Sequence, residues 1–381
     1  MRVLFAIGMF GSVTFVLAVL HVPVVAAMIA AVIACLVCGP TLVGHDRLKP
    51  VLTLNGHDRL KPILTLNRHD RLTPVPTLLA AIPIVVIAIN TAIVPLHDFD
   101  GRAFWLLKAK AIAHEHSIDG PFFHDQVVHS PRNQYPLLMP IDAAALMLVS
   151  GSIDDQHARW LYLVTFAAFV FFVARRVSPW CAAILAWLPQ FAVAGEGGAL
   201  SAYSDIAFAA FVACAFIEMI DGDSPLRFGC WLAFLVLTKN EGLPVALILF
   251  AIGLNRRWVR AALPLLISIA ALFAWRAHIP KTDEEDYLAL LPSFASHLRR
   301  IGPAAIEFAK HAFAFSAWGA FWIAALIALV IVARKDWRAP AAVVAIAAVY
   351  IGAYTITQWQ LRDSIDVSSD RLLMHMTGPA L

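Results

Sequence analysis

The stretch that most limits the fold comes first. Met1 to Gly39 is apolar for about forty positions with Pro23 near the middle, enough for two helices of about twenty residues each that cross a bilayer and return. Similar runs recur nearly end to end. In lipid no water satisfies the backbone, so each run must bond to itself as a helix. Composition agrees, with 60% of the 381 residues hydrophobic, 14% charged and a mean hydropathy of +0.75. The expected fold class is an all-α polytopic membrane protein built as one helical bundle. A cleaved signal peptide ending near Val25-Ala26-Ala27 is the rival reading of the first run. Cleavage there would leave 28–39 too short to span and put a basic loop outside.

A twelve-residue tandem repeat follows: GHDRLKPVLTLN from Gly44, GHDRLKPILTLN from Gly56 and the decayed RHDRLTPVPTLL from Arg68. The unit is too short for a helical pair and carries a Pro in every copy, so it reads as a loop expansion instead of a solenoid. His45, His57 and His69 recur with the repeat, each followed by an Asp-Arg pair that suits a solvated loop better than a metal. Arg47, Lys49, Arg59, Lys61, Arg68 and Arg71 mark this loop as cytoplasmic. The chain thus divides into an N-terminal transmembrane hairpin (1–40), a cytoplasmic repeat loop (41–76) and a long transmembrane region (77–381). A net charge of +3 is too small to imply nucleic acid. Cys35, Cys38, Cys181, Cys214 and Cys230 lie in apolar segments and read as small buried hydrophobes.

From the cytoplasmic loop, Thr77 to Pro95 crosses outward and leaves His97–Pro140 on the extracytoplasmic face. Basic clusters at Arg175-Arg176, Asn255–Arg260 and Arg334–Arg338 fall inside if spans run at 159–176, 180–196, 205–220, 228–238, 243–254, 261–277, 312–333 and 339–357. About eleven transmembrane helices result, with 137–149 lying along the outer surface. The short pair 228–238 and 243–254 encloses Thr238-Lys239-Asn240-Glu241-Gly242. Charges at a broken helix are tolerated at membrane depth only where they line a cavity or site. This threading brings 199–205, 239–242, the loop 278–311 and the tail 358–381 to the same face as Asp98 and Asp100.

His97–Pro140 is where the chain collects acids, amines, imidazoles and aromatics. Asp98 and Asp100 lie two apart, so an extended backbone would point them the same way. A carboxylate at a dehydrated interface gains basicity and can act as a general base. Such a pair can also hold a divalent cation against a phosphate, or simply pair with Arg102. Arg102–His116 reads as an amphipathic interfacial helix, with Lys108 and Lys110 reaching for lipid headgroups or a phosphate. His114, His116, His124 and His129 are too irregularly spaced for a zinc motif. Asp205 opens a span and can cap it. Lys239 and Glu241 need partners, which they can be for each other. Asp283–Asp286 is a solvated charge run. Arg371 and His375, one helical turn apart, can face an anion together or pair with Asp366 or Asp370.

The order of these features resembles the GT-C superfamily of polytopic glycosyltransferases that use a polyprenyl-phosphate sugar as donor, such as protein O-mannosyltransferases and aminoarabinose transferases. The likeness rests on Phe99-Asp100-Gly101-Arg102, Trp105-Leu106-Leu107-Lys108-Ala109-Lys110, Tyr135-Pro136-Leu137-Leu138-Met139-Pro140, Tyr203-Ser204-Asp205, Leu237-Thr238-Lys239-Asn240-Glu241-Gly242 and Arg371-Leu372-Leu373. It spans about 77–381. The resemblance implies Asp100 as general base with Asp98 as alternate, Asp205 as the second outer-loop acid and Lys239 as the lysine of the broken pair. Relatives carry a lysine before the Pro-rich turn where this chain has Asn133-Gln134-Tyr135. Contact to the donor phosphate then passes to Lys108, Arg132 or Lys239, with His129, Tyr135, Glu241, Arg371 and His375 completing the substrate site. The implied partners are a polyprenyl-phosphate-linked sugar, a glycan, lipid or protein acceptor, and membrane lipids. Further helices beyond Leu381 are also implied.

Overall fold

The computed structural model describes residues 1–42, 74–125, 132–192, 196–222, 224–254, 256–281 and 287–381. The repeat loop with His45, His57 and His69, together with His129 and Asp283–Asp286, lies outside the described residues. Everything described is helix, turn or loop, without a strand. Helices α1 (Arg2–Val19) and α2 (Val24–Leu42) form the expected hairpin. It is part of the bundle, because Phe5 packs edge-on to Trp231 at 5.4 Å and Phe15 edge-on to Trp275 at 5.8 Å.

The next helices are α3 (Pro74–Ile93), α4 (Leu106–Glu115), α5 (Leu138–Ser150), α6 (Asp155–Arg176), α7 (Pro179–Trp187) and α8 (Asp205–Asp221). They are followed by α9 (Pro225–Thr238), α10 (Gly242–Gly253), α11 (Ala262–His278), α12 (Ile301–Ala312), α13 (Phe321–Ala333), α14 (Arg338–Ile356) and α15 (Leu361–Met374). Local sequence sets several starts. Ser178 and Ser224 accept hydrogen bonds from Trp180 N–H and Arg227 N–H, and each is followed by a Pro in the first turn, where a missing N–H costs nothing.

Five helices are long and apolar enough to cross a membrane: Arg2–Val19, Pro74–Ile93, Asp155–Arg176, Val259–His278 and Arg338–Ile356. Layering follows from which helices are apolar all round. α8 and α9 are buried along almost their whole length and form the centre. α3 and α13 expose Val85, Val86 and Ile89, and Ile327, Val330 and Ile331. An apolar exterior of this extent needs lipid to cover it.

Several expected elements take another form. The span at 180–196 is instead α7 and a single turn, Pro189–Ala192, because Pro189 cannot donate the bond that would continue the helix. The span at 312–333 breaks at Gly319, whose φ is +54°, and the loop 278–311 contains α12. α5 packs against α1, α4 and α6 with Leu138, Met139, Ile141 and Met147 fully buried and Val149 exposed. The helix expected over 102–116 is present, from Gly101 to Glu115. It starts as a π-helical turn, Gly101–Trp105, and continues as α4, which buries Leu106, Lys108, Ala109, Ile112 and Ala113.

Candidate functional site

At the head of α8, Asp205 is fully buried, where an unpaired charge would be prohibitive. Its Oδ1 accepts from Lys239 Nζ at 2.8 Å and from His375 Nε2 at 3.0 Å. It therefore does more than cap a helix, and Ser204 at the N-cap makes no side-chain capping bond either. Lys239 ends α9 in an extended conformation and also lies 3.6 Å from Glu241 Oε1, longer than its contact with Asp205. Lys239 and Glu241 are thus a pair within a larger network.

His375 follows α15 and is fully buried. Since the Asp205 carboxylate can only accept, Nε2 of His375 carries the proton, and Nδ1 accepts from the Tyr350 hydroxyl of α14 at 2.8 Å. Burial lowers the His375 pKa, the Asp205 hydrogen bond opposes this, and the Lys239 ammonium adds to the depression. The neutral ring agrees with that tautomer.

One turn earlier on α15, Arg371 Nη1 lies 3.3 Å from Asp100 Oδ2, its guanidinium sits 5.2 Å from the centre of the Tyr203 ring, and Nη2 donates to the Val367 carbonyl. The pairings weighed for Arg371 and His375 are taken by other residues: Asp366 holds His311 and Arg362, and Asp370 accepts from Trp318. Gly197 has a φ of +91°, and a Cβ there would come within 2.8 Å of Arg371 Cγ. Only glycine lets that backbone approach the guanidinium.

Asp98 and Asp100 are not set side by side on an extended strand. Asp100 is helical (φ −64°, ψ −36°) at the start of the π turn, and Gly101 lets that turn touch the next loop, since a Cβ there would meet the Ser201 carbonyl at 2.0 Å. Asp98 lies nearer the Arg159 guanidinium, and burial raises its pKa despite an opposing backbone hydrogen bond and that nearby charge. Arg102 is exposed, and among the described residues the ion-pair partner of Asp100 is Arg371.

Lys108 does not reach for headgroups. It is fully buried, 4.1 Å from the Phe104 ring centre, 5.6 Å from Trp105 and 5.5 Å from Tyr135, and donates to the Arg132 carbonyl at 2.9 Å. The ammonium exchanges water for π faces and one carbonyl. Phe104 and Trp105 pack on Tyr203, the ring under Arg371, so this cage adjoins the acidic cluster. Arg132 is exposed, with its guanidinium 5.9 Å from the Phe104 ring centre, and Lys110 pairs with Asp155 at 2.9 Å.

Asp100, Asp205, Lys239, Glu241, Arg371 and His375 therefore form one connected cluster drawn from four separate parts of the chain. Lys108, Arg132 and Tyr135 stand beside it, and Arg102 stays outside its contacts. Three buried atoms of the cluster have no hydrogen-bond partner among the described residues: Asp205 Oδ2, Glu241 Oε2 and Arg371 Nε. A buried polar atom left unpaired costs free energy that a ligand can recover, and others lie elsewhere in the bundle, both carboxylate oxygens of Asp142 among them. Two unused acceptors and one unused donor suit a polyhydroxylated, anionic ligand. Lys239 and Arg371 already supply positive charge between these carboxylates.

Sequence reasoning missed three participants, Glu196, Tyr350 and Arg159, and named Tyr203 only within the Tyr203-Ser204-Asp205 motif. Glu196 has its pKa raised by burial and by Asp100, Asp98 and Asp205, against the attraction of Arg371; the glycines around it, in Gly195-Glu196-Gly197-Gly198, are the signal that could have ended the expected span at 180–196 earlier. Tyr203, Tyr350 and Arg159 also contribute, the last donating to the carbonyls of Val94 and Leu200. Nothing in the local sequence of Tyr350 or Arg159 separates them from ordinary core or interface residues. No protein-family model matches the chain, and no curated protein or solved structure does.

Proposed function

We propose that the chain is a membrane glycosyltransferase that moves a sugar from a polyprenyl-phosphate donor to an acceptor hydroxyl on the extracytoplasmic face of a cytoplasmic membrane. Asp100 deprotonates the acceptor hydroxyl, with Asp98 as its alternate, and the alkoxide attacks the anomeric carbon with inversion as the bond to the lipid phosphate breaks. Lys239 and Arg371 neutralise the departing lipid phosphate. Asp205 and His375 orient Lys239, and Glu241 accepts from a sugar hydroxyl. Lys108, Arg132 and Tyr135 flank the lipid phosphate, as the resemblance to GT-C enzymes implies. The bundle and its lipid partners would follow the GT-C arrangement of about eleven spans.

The observation that carries this reading is the meeting of Asp100, Arg371, Asp205 and Lys239, each from a different segment, around unpaired buried polar atoms. A transporter or an inactive scaffold remains a rival class, and one experiment separates them. Purified protein is given radiolabelled polyprenyl-phosphate sugars, and Asp100→Asn should lower transfer about 10²–10⁴-fold. Equal turnover by wild type and variant removes Asp100 as base. No turnover by either, in the presence of solute uptake by proteoliposomes, identifies a transporter. Sidedness is tested by Phe122→Cys and Thr53→Cys, which should react with impermeant thiol reagents from opposite sides.

A further inference from the structure

A second constellation lies beside the α1–α2 turn. Asp119 Oδ1 is 2.6 Å from His124 Nε2 and 2.6 Å from His278 Nε2, and Asp119 Oδ2 is 3.8 Å from His21 Nδ1. The ligand atoms of Asp119, His124 and His278 all lie within 4.8 Å of one another. The rings of His21 and His124 pack edge-on against His278, with centroids 5.7 and 5.2 Å away. These residues come from the turn between α1 and α2, the segment after α4, and the end of α11. None touches the acidic cluster described above.

We propose that His21, Asp119, His124 and His278 form a site for a zinc-class divalent cation. Three imidazoles and one carboxylate are a borderline-soft, four-ligand set of the kind Zn²⁺ takes in tetrahedral sites. The separations from Asp119, 2.6 Å to His124 and to His278 and 3.8 Å to His21, bracket the roughly 3.3 Å between ligand atoms that tetrahedral zinc requires, so small rotamer shifts admit the ion. Three neutral imidazoles and one carboxylate sum to a single negative charge, which a divalent cation overcompensates by one. Without a cation, one carboxylate oxygen must accept from two imidazole N–H groups.

The backbone around the ligands is already held. The Ser117 hydroxyl accepts from Asp119 N–H at 2.9 Å, Glu115 accepts from Phe122 N–H at 3.1 Å, and the Gln134 amide donates to the carbonyls of Arg276 and Ile279 on either side of His278. Ile118, Ala274 and Trp275 wall the concavity beside His21 and His278. His21 holds a left-handed backbone (φ +61°), uncommon outside glycine. An ion here fastens the N-terminal hairpin to the end of α11, where Arg276 donates to Asn240 next to Lys239 at 2.6 Å. The site is thus a clasp at the end of the bundle that carries the acidic cluster, and its existence does not depend on the proposed transfer reaction.

The test uses the full, untagged chain in detergent, stripped with chelator and titrated with Zn²⁺ against a chromophoric competitor and with Co²⁺ by visible absorption. Wild type should bind one equivalent and show tetrahedral Co²⁺ bands without thiolate charge transfer. The double substitution Asp119→Asn with His278→Ala should weaken binding about 100-fold or more, while His114→Ala, at an exposed histidine outside the group, should not. Circular dichroism checks that the double variant folds. Failure of wild type to bind a stoichiometric ion, thiolate bands, or equal affinity in a folded double variant would each overturn the proposal.

Discussion

Helix α8 carries a buried acid near each end, and the two are treated differently. Glu218, about 20 Å along the helix from Asp205, takes Arg227 in a two-pronged contact of 2.6 Å on each oxygen and also accepts from Ser224 N–H. Arg176 pairs with Asp221 beside it. Both Glu218 oxygens are used. Asp205 is equally buried but places both of its donors on one oxygen and leaves Oδ2 unpaired. A closed ion pair fixes structure, and a partly open one is arranged for something that arrives.

The largest expected effect belongs to the closed end. Glu218→Gln takes the carboxylate charge away from the buried Arg227 and should lower unfolding stability by about 3–5 kcal/mol, read by thermal unfolding in detergent, while turnover per folded molecule holds. Asp205→Asn should do the reverse. The amide oxygen still accepts from His375 and Glu241 still faces Lys239, so stability falls less, while the proposed transfer should drop about 10²–10³-fold as Lys239 loses its anchor. If the two substitutions gave the same ratio of stability loss to activity loss, the distinction between the two ends would fail.

How much of this was legible beforehand follows the same division. Apolar runs announce helices at any distance from their partners, so α1 to α3, α6, α8, α9, α10 and α14 fall close to where the sequence puts them. Breaks are legible only where Pro or Gly makes them, and the weight of Pro189 and Gly319 was hidden inside otherwise apolar stretches. Lys239 stood out because a charge between apolar runs needs a partner. Its main partner, Asp205, is 34 residues before it, and His375, which shares that carboxylate, is 136 after it along the chain, distances no local pattern encodes. Lys108 was misread for a related reason. An amine on an amphipathic helix normally faces water, and only the tertiary fold supplies the three rings that let it be buried. His278 and Asp119 are 159 positions apart, so metal-ligand spacing could not reveal them.

A smaller effect sharpens the open end without touching a charge. Gly197→Ala forces a side chain into a left-handed backbone and against Arg371, a strain of about 1–3 kcal/mol. It can be relieved by moving the guanidinium away from Asp100. Thermal unfolding should show a modest loss, and the KM for the lipid-linked donor should rise more than kcat falls. An unchanged KM would mean that the Arg371–Asp100 contact does not position the donor.

The smallest expected effect concerns one proton. His375 has its pKa lowered by burial and by Lys239 from an ordinary value near 6.5, so below about pH 6.5 the unfolded chain binds a proton at this ring that the folded chain refuses. Stability contributed by the neutral ring is therefore fully present above that value and is lost as pH falls from it toward the lower folded-state pKa. Asp205, Glu241 and Lys239 face this ring together with the Tyr350 hydroxyl. Between pH 8 and pH 5.5 the wild type should become easier to unfold, and His375→Gln, which can donate to Asp205 but cannot take up the proton, should flatten that slope. Glu218→Asp, at the closed end, should leave the slope as it is even though it lowers stability. The same slope in His375→Gln as in wild type would show that the ring exchanges its proton freely, and the open end of α8 would then be wetter than its burial implies.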